Sequence, residues 1–188
     1  MNEISILPLG DSYQELAANL KLQLAAQYPI KHIARDTVLL QQGQKQRYGY
    51  LILDGVLGAI HDDAQGGQRC KEFYFKDEFA LLYGNWLTNT AAFYQLKVIN
   101  RVSVISVPLN VFNQPEWQII KQQLIAQQLI FKEAKEAFLL LNTPEQRYRY
   151  LLAEKPHWLA QLSLTQVAMY IGISAISLSR IRKRLNLS

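Results

Sequence analysis

The period of the apolar positions changes along the chain, and each change marks a different kind of element. From about residue 11 to 28, Leu16, Leu20 and Leu24 recur at the spacing of one helical face. Asp11 or Ser12 is the candidate N-cap. Tyr28-Pro29 ends this helix, because the residue before a proline disfavours the α region. From about residue 30 to 108 the pattern becomes strand-like. Thr37–Leu40 is rich in β-formers and is followed by Gly43. Tyr48–Leu53 and Val56–Ile60 flank Asp54-Gly55, which predicts a hairpin. Gln65-Gly66-Gly67-Gln68 predicts a second turn, ahead of Arg69–Phe75. Phe93–Ile99 and Val102–Val107 flank Asn100-Arg101, and Pro108 closes the run. Short strands with regular turn signals predict an antiparallel barrel or sandwich. The pattern lapses over Leu81–Ala92, where a loop or short helical turn is expected.

The third texture is helical. Pro115-Glu116 is a start signal, and Asn142-Thr143-Pro144 is the next breaker. Between them Trp117, Ile120, Leu124, Gln127, Phe131, Ala134, Phe138 and Leu141 step by alternating threes and fours, a heptad seam interrupted by Gln127. A helix of roughly 25 residues is about 37 Å long at 1.5 Å per residue. One small barrel cannot cover it, so the seam is expected to bury against a second copy of the helix.

Residues 164–185 read LTQVAMYIGISAISLSRIRKRL. A helix beginning after Leu164, with Thr165 near its cap, places Val167, Ala168 and Ile171 on one face. Ala168 is small enough to let another helix cross closely. Gly172 supplies a positive φ at a tight turn, Ile173 plugs the turn from below, and Ser174 caps the next helix. Leu178 and Ile181 point that second helix back onto the first. These offsets make a helix-turn-helix. The second helix then keeps Leu178, Ile181 and Leu185 inward and offers Ser177, Ser179, Arg180, Arg182, Lys183 and Arg184 elsewhere. Ser174, Ala175, Ile176 and Ser177 form the leading turn, expected to enter the major groove first. Arg180, one turn further on, is the candidate for a bidentate contact with guanine. Thr165 and Gln166 at the start of the first helix are candidates to hold a phosphate. Arg182, Lys183 and Arg184 are candidates for phosphate contacts.

Charge sharpens this picture. Of the 188 residues, 1–141 carry 13 Lys/Arg and 13 Asp/Glu, whereas 142–188 carry 7 and 2, so the whole +5 excess lies in the last quarter. A polyanion is the natural partner of that tail. The tail has no aromatic after Tyr170 on which single-stranded bases could stack. Its apolar face is needed for packing, which leaves little for lipid. The single cysteine, Cys70, excludes an internal disulfide and a four-cysteine iron–sulfur site. His32, His61 and His157 show no metal-ligand spacing, and residues 30–108 hold only the first two, so a metal enzyme built on the strands is not expected. The start, MNEISILPLGDS, has no basic region followed by an apolar run, and no stretch approaches the length of a membrane span. A cytoplasmic setting without membrane association is the expectation.

Strands, a long seam helix and a terminal helix-turn-helix, in that order, resemble the Crp/Fnr family of bacterial transcription regulators. The resemblance rests most on Thr143-Pro144-Glu145-Gln146-Arg147-Tyr148, on Ile171-Gly172-Ile173-Ser174 and on Leu178-Ser179-Arg180-Ile181-Arg182-Lys183. It implies an α+β chain. Residues 1–113 would be an antiparallel β-roll sensor domain, cyclic-nucleotide-binding-like and a double-stranded β-helix, with the N-terminal helix. Residues 114–141 would be the dimerisation helix and 142–188 the DNA-binding domain. It further implies a homodimer reading a two-fold-related site in double-stranded DNA, with RNA polymerase as a further partner and a ligand or redox signal sensed in the roll.

The chain departs from the family in three places. Cyclic-nucleotide binders of the family carry a Gly-Glu pair for the ribose and an Arg-Ser/Thr-Ala run for the phosphate. Here those stretches read Phe79-Ala80-Leu81-Leu82-Tyr83-Gly84 and Thr90-Ala91-Ala92-Phe93. Leu82 stands about where the Glu would be, and no guanidinium is available for a cyclic phosphate. Leu81, Leu82, Tyr83, Ala91, Ala92 and Phe93 are the candidate ligand pocket, and cyclic AMP is not expected in it; no cofactor is expected either. The cysteine cluster of oxygen-sensing relatives is absent. The leading turn has Ala175 and Ile176 where relatives often place a polar or acidic base reader, and the wing hairpin of longer relatives is not expected here. A second reading therefore stays open, a sensor or interaction module of the same fold without specific DNA binding.

Overall fold

A computed structural model describes residues 12–187. Asp11, the alternative cap of the first helix, lies outside them. The chain is α+β and divides into two compact units, with the boundary between Ile130 and Phe131 inside the long helix.

In the first unit, helix α1 (Ser12–Ala25) is followed by β1 (Ile30–Ile33), β2 (Val38–Leu40), β3 (Tyr48–Asp62), β4 (Gln68–Tyr74) and β5 (Phe79–Ala80). A short helix α2 (Tyr83–Leu87) fills the patternless stretch, and β6 (Gln95–Pro108) completes the sheet. All strand pairs among the described residues are antiparallel, with β6 at the centre pairing β1, β2 and β3, and β3 also pairing β4 and β5.

The expected hairpin turn at Asp54-Gly55 is not a turn, and the two runs that flank Asn100-Arg101 are one strand. Asp54-Gly55 and Asn100-Arg101 lie inside single long strands, which pair with each other from Tyr48↔Pro108 to Ile60↔Gln95. The chain does not reverse at Asp54-Gly55 because β6 continues alongside it. The register shifts between Ile52 and Leu57 instead, a bulge that bends the strand. Gly55 has φ +85°, and a Cβ there would collide with the Arg101 carbonyl oxygen, so the close approach of the two strands requires glycine. The turn expected at Gln65–Gln68 does reverse the chain. The Asp63 carboxylate accepts from the backbone N–H groups of Gln65 and Gly67, and Gly66 takes φ +80°.

Alternation along β3 and β6 separates two cores. Tyr50, Ile52, Val102 and Val104 join Leu40, Leu57, Tyr74, Leu82, Ala92 and Leu96 inside the roll. Leu51, Ile105 and Val107 point the other way, onto Leu16, Leu20 and Leu24 of α1 and onto Phe112, Trp117, Ile120 and Leu124. Phe112 is the hub of the second core, edge-on to Phe79, Trp86 and Trp117 at 5.5–5.9 Å.

Short 3-10 turns at Leu109–Asn113 and Pro115–Trp117 lead into helix α3 (Gln118–Leu141). The second unit continues from it with α4 (Pro144–Glu154), α5 (Pro156–Leu159), α6 (Leu164–Tyr170) and α7 (Ala175–Arg184). Phe138 of α3 stacks near Tyr150 and Tyr170, and Trp158 meets Tyr170 at a right angle, 5.1 Å away. The Lys135 ammonium sits 3.1 Å above the Tyr170 ring. This aromatic layer underlies α6.

Candidate nucleic-acid interface

Local chemistry starts and stops each helix of the interface. Thr143 caps α4 and Ser163 caps α6, each in a reciprocal capping box with the glutamine three residues on, Gln146 and Gln166. The cap of α6 is thus Ser163, two residues before the expected Thr165, because Gln166 fits the third helical position only in that frame. Its end is a Schellman motif. The N–H of Ile173 donates to the Ala168 carbonyl (3.0 Å) and that of Gly172 to Met169 (3.2 Å), with Gly172 at φ +75°. Ser174 then caps α7, its hydroxyl accepting from the Ser177 N–H at 3.1 Å. Residues 164–185 are therefore two helices, bent 100° from one another. Leu178 and Ile181 are buried, and so are Val167, Ala168 and Ile171 opposite them.

Arg147, quoted in the sequence motif without a role, fastens this turn. Its Nε donates to the Asn142 carbonyl (2.9 Å) and its Nη1 to the Ile171 carbonyl (2.6 Å). Partial burial lowers the Arg147 pKa, and the group remains a cation. The T-x-x-Q and S-x-x-Q patterns at Thr143 and Ser163 were the available signal for both caps.

Three sides of α7 have different tasks. Leu178 and Ile181 are inward, with Leu185 half-buried behind them. The outward side carries Ile176, Ser179, Arg180 and Lys183, all exposed, Ile176 at 67%. A third side, with Ser177, Arg180 and Arg184, borders a groove whose other wall is Thr143, Pro144 and Glu145 at the start of α4. Arg184 is exposed, and its Nη2 lies 3.1 Å from Glu145 Oε2. Of the remaining predicted residues, Thr165 and Ser174 are exposed, while Ala175, Ser177 and Arg182 are half-buried. Gln166 is half-buried, with its carbonyl committed to the Ser163 N–H at 2.8 Å.

The predicted seam of α3 is largely occupied by its own chain. Trp117, Ile120 and Leu124 belong to the core beneath the sheet. Ala134 and Phe138 are buried, Gln127 and Phe131 are half-buried, and only Leu141 is exposed. Steps of three and four mark one helical face without saying what covers it. The open apolar side chains are Ile119, Leu129 and Ile130 in the first part of α3, and Leu140 and Leu141 in its last turn.

The expected ligand-pocket residues divide between the two cores and the surface. Leu81, Leu82, Tyr83 and Ala92 are buried, and Leu82 and Ala92 pack into the roll core. The Leu82 N–H donates to Gln46 Oε1 at 3.0 Å. Ala91 and Phe93 face outward, Phe93 at 66% exposure. Burial raises the phenol of Tyr83. Cys70 is half-buried. His32 bonds Ser103 Oγ (2.9 Å) and His61 the Phe93 carbonyl (2.8 Å). Burial and Lys155 lower the pKa of His157. Among the described residues no three His, Cys, Asp or Glu side chains converge as a metal site. No single helix among them is long and apolar enough to cross a membrane.

No protein-family model and no curated protein matches the chain. Solved structures do match. FixK2 from Bradyrhizobium japonicum is similar at TM-score 0.69 and 17% identity, over 85% of this chain and 84% of that one. A CRP-family transcriptional regulator from Thermus thermophilus follows at 0.67 and 18%, over 83% and 84%. This is the Crp/Fnr fold. The c-di-GMP responsive global regulator CLP from Xanthomonas campestris matches at 0.65 and 16%, covering 90% of this chain and 91% of its own. The likeness covers 83–90% of this chain.

Proposed function

We propose that the chain is a DNA-binding transcription regulator, not an enzyme, and acts as a homodimer that reads a two-fold-related site through the major groove. The observation that carries this reading is the outward side of α7. Ile176, Ser179, Arg180 and Lys183 share one exposed face without a carboxylate, on the second of two helices crossed at 100°. Such a face matches the major groove in shape and polyanionic DNA in charge. Arg180 reads a guanine edge, Lys183 meets a phosphate, and Ile176 packs on a thymine methyl. Ser174, Ala175 and Ser177 place the leading turn at the base edges, and Thr165 with the start of α6 holds a phosphate, as does Arg182. Gln166 contributes through its backbone, since its side chain serves the cap.

For the dimer, the exposed Ile119, Leu129 and Ile130 of α3 are the residues a second copy would cover. Cyclic AMP does not control the protein in this reading. Leu82 packs into the core where a ribose-binding acid would be needed, and Ala91-Ala92 brings no guanidinium. An unpaired phosphate charge in that setting is costly to bury.

The exposed Ile176 also favours a second reading, a module of this fold that no longer discriminates between sequences. A gel-shift against genomic fragments separates the two. The regulator reading expects selected fragments to shift and Arg180→Ala to abolish the selection. Equal retention of all fragments by both proteins favours the module.

A further inference from the structure

A single carboxylate lies between two cations at the edge of the interface. Glu145 stands in the first turn of α4, where the helix dipole favours a negative charge. Its Oε1 accepts from Arg149 Nε (3.1 Å) and Nη2 (3.0 Å). Its Oε2 is paired with Arg184 Nη2 at 3.1 Å. The anchoring by dipole and Arg149 is local to α4, whereas the pair with Arg184 ties down a cation of α7. Glu145 and Arg184 line the same groove as Arg180 and Ser177, so the carboxylate sits beside the side chains that a DNA backbone would approach.

We propose that Glu145 limits the affinity of this protein for DNA by competing with phosphate for Arg184. This rests on the DNA-binding reading above. An arginine held by a carboxylate can meet a phosphate only by exchanging or sharing its partner, and the carboxylate repels the incoming anion as well. The pair is solvent-accessible, Arg184 at 66% and Glu145 at 32% side-chain exposure, so exchange is feasible and the effect is modest and salt-sensitive. The restraint acts on the backbone contact and carries no sequence information. It therefore holds down binding to all duplexes, specific and random alike.

Glu145→Gln tests this, because it keeps the side chain's size and an acceptor for Arg149 while removing the charge. Binding of the full-length chain to a random-sequence duplex and to a selected target is measured across a salt series. The variant is expected to bind both about 3- to 10-fold more tightly at low salt. The slope of log K against log salt should steepen by about one unit, as Arg184 displaces a further counterion. Its thermal midpoint should fall slightly, since the dipole and ion-pair contributions are lost; a merely structural residue would lower binding along with stability. Arg184→Ala should weaken binding more in the Glu145→Gln background than in the wild type. If the wild type binds duplex DNA and Glu145→Gln binds equally or more weakly, the inference is overturned while the regulator reading stands. If neither protein binds any duplex, both are overturned.

Discussion

The roll and the helical tail solve opposite problems with their polar residues. Over residues 1–141 the formal charges cancel, and the strands turn apolar side chains into two closed cores. Over residues 142–188 the charge is +5, and the polar groups are arranged outward from a thin apolar layer. In the roll, Leu82 and Ala92 are packed into the apolar core. In the tail, Thr143, Ser163 and Ser174 cap α4, α6 and α7, Arg147 holds the carbonyl at the end of α6, and Arg180 and Lys183 are exposed. The difference leaves the exposed cations of the tail available to a polyanion and keeps the strands of the roll largely apolar.

The largest effect expected from this contrast is on the roll in alkali. Burial pushes the Tyr50 phenol up to about 12 and also raises those of Tyr74 and Tyr83. A raised value means the folded state holds the proton more tightly than the unfolded one. This stability is complete below about pH 10 and is lost as pH rises through about 12. Ionisation of Tyr50, Tyr74 and Tyr83 should therefore coincide with loss of the strand signal in circular dichroism. Ionisation of these three with intact strands would break the picture of a closed roll.

Next in size is the apolar layer of the tail. Leu178 is fully buried between the crossed helices, so Leu178→Ala should cost about 2–5 kcal/mol. Hydrogen exchange should then accelerate across α6 and α7 while β3 and β6 stay protected. Acceleration spread evenly over both units would mean that they do not differ as described. Smaller again is the outward face. Arg180→Ala should cost about 1–3 kcal/mol on a selected DNA site and relax the preference at one base pair, whereas Lys183→Ala should weaken all sites alike and reduce the salt slope by about one unit. Equal consequences for the two variants would erase the distinction between base and backbone contacts.

How much the sequence revealed depended on the distance between the groups that decide each feature. The helix-turn-helix is local. Gly172, Ser174 and the Leu178/Ile181 spacing decide it within a few residues, and the structure has all of them in the expected places. Asp54-Gly55 between two apolar runs looks the same whether the chain reverses or continues. Pairing with β6, distant in sequence, selects the bulge. The apolar period of α3 could not say that Phe112 and the sheet lie against Trp117, Ile120 and Leu124. The Glu145–Arg184 pair joins two separate helices and left no trace in either motif.

Selection of duplexes from a random pool by the full-length chain tests the central claim most directly, since it asks whether the exposed face of α7 reads base sequence. Enriched duplexes should share two inverted half-sites about one helical turn apart, and the enrichment should vanish with Arg180→Ala. A pool that stays random after selection, or one enriched equally by wild type and Arg180→Ala, would contradict it.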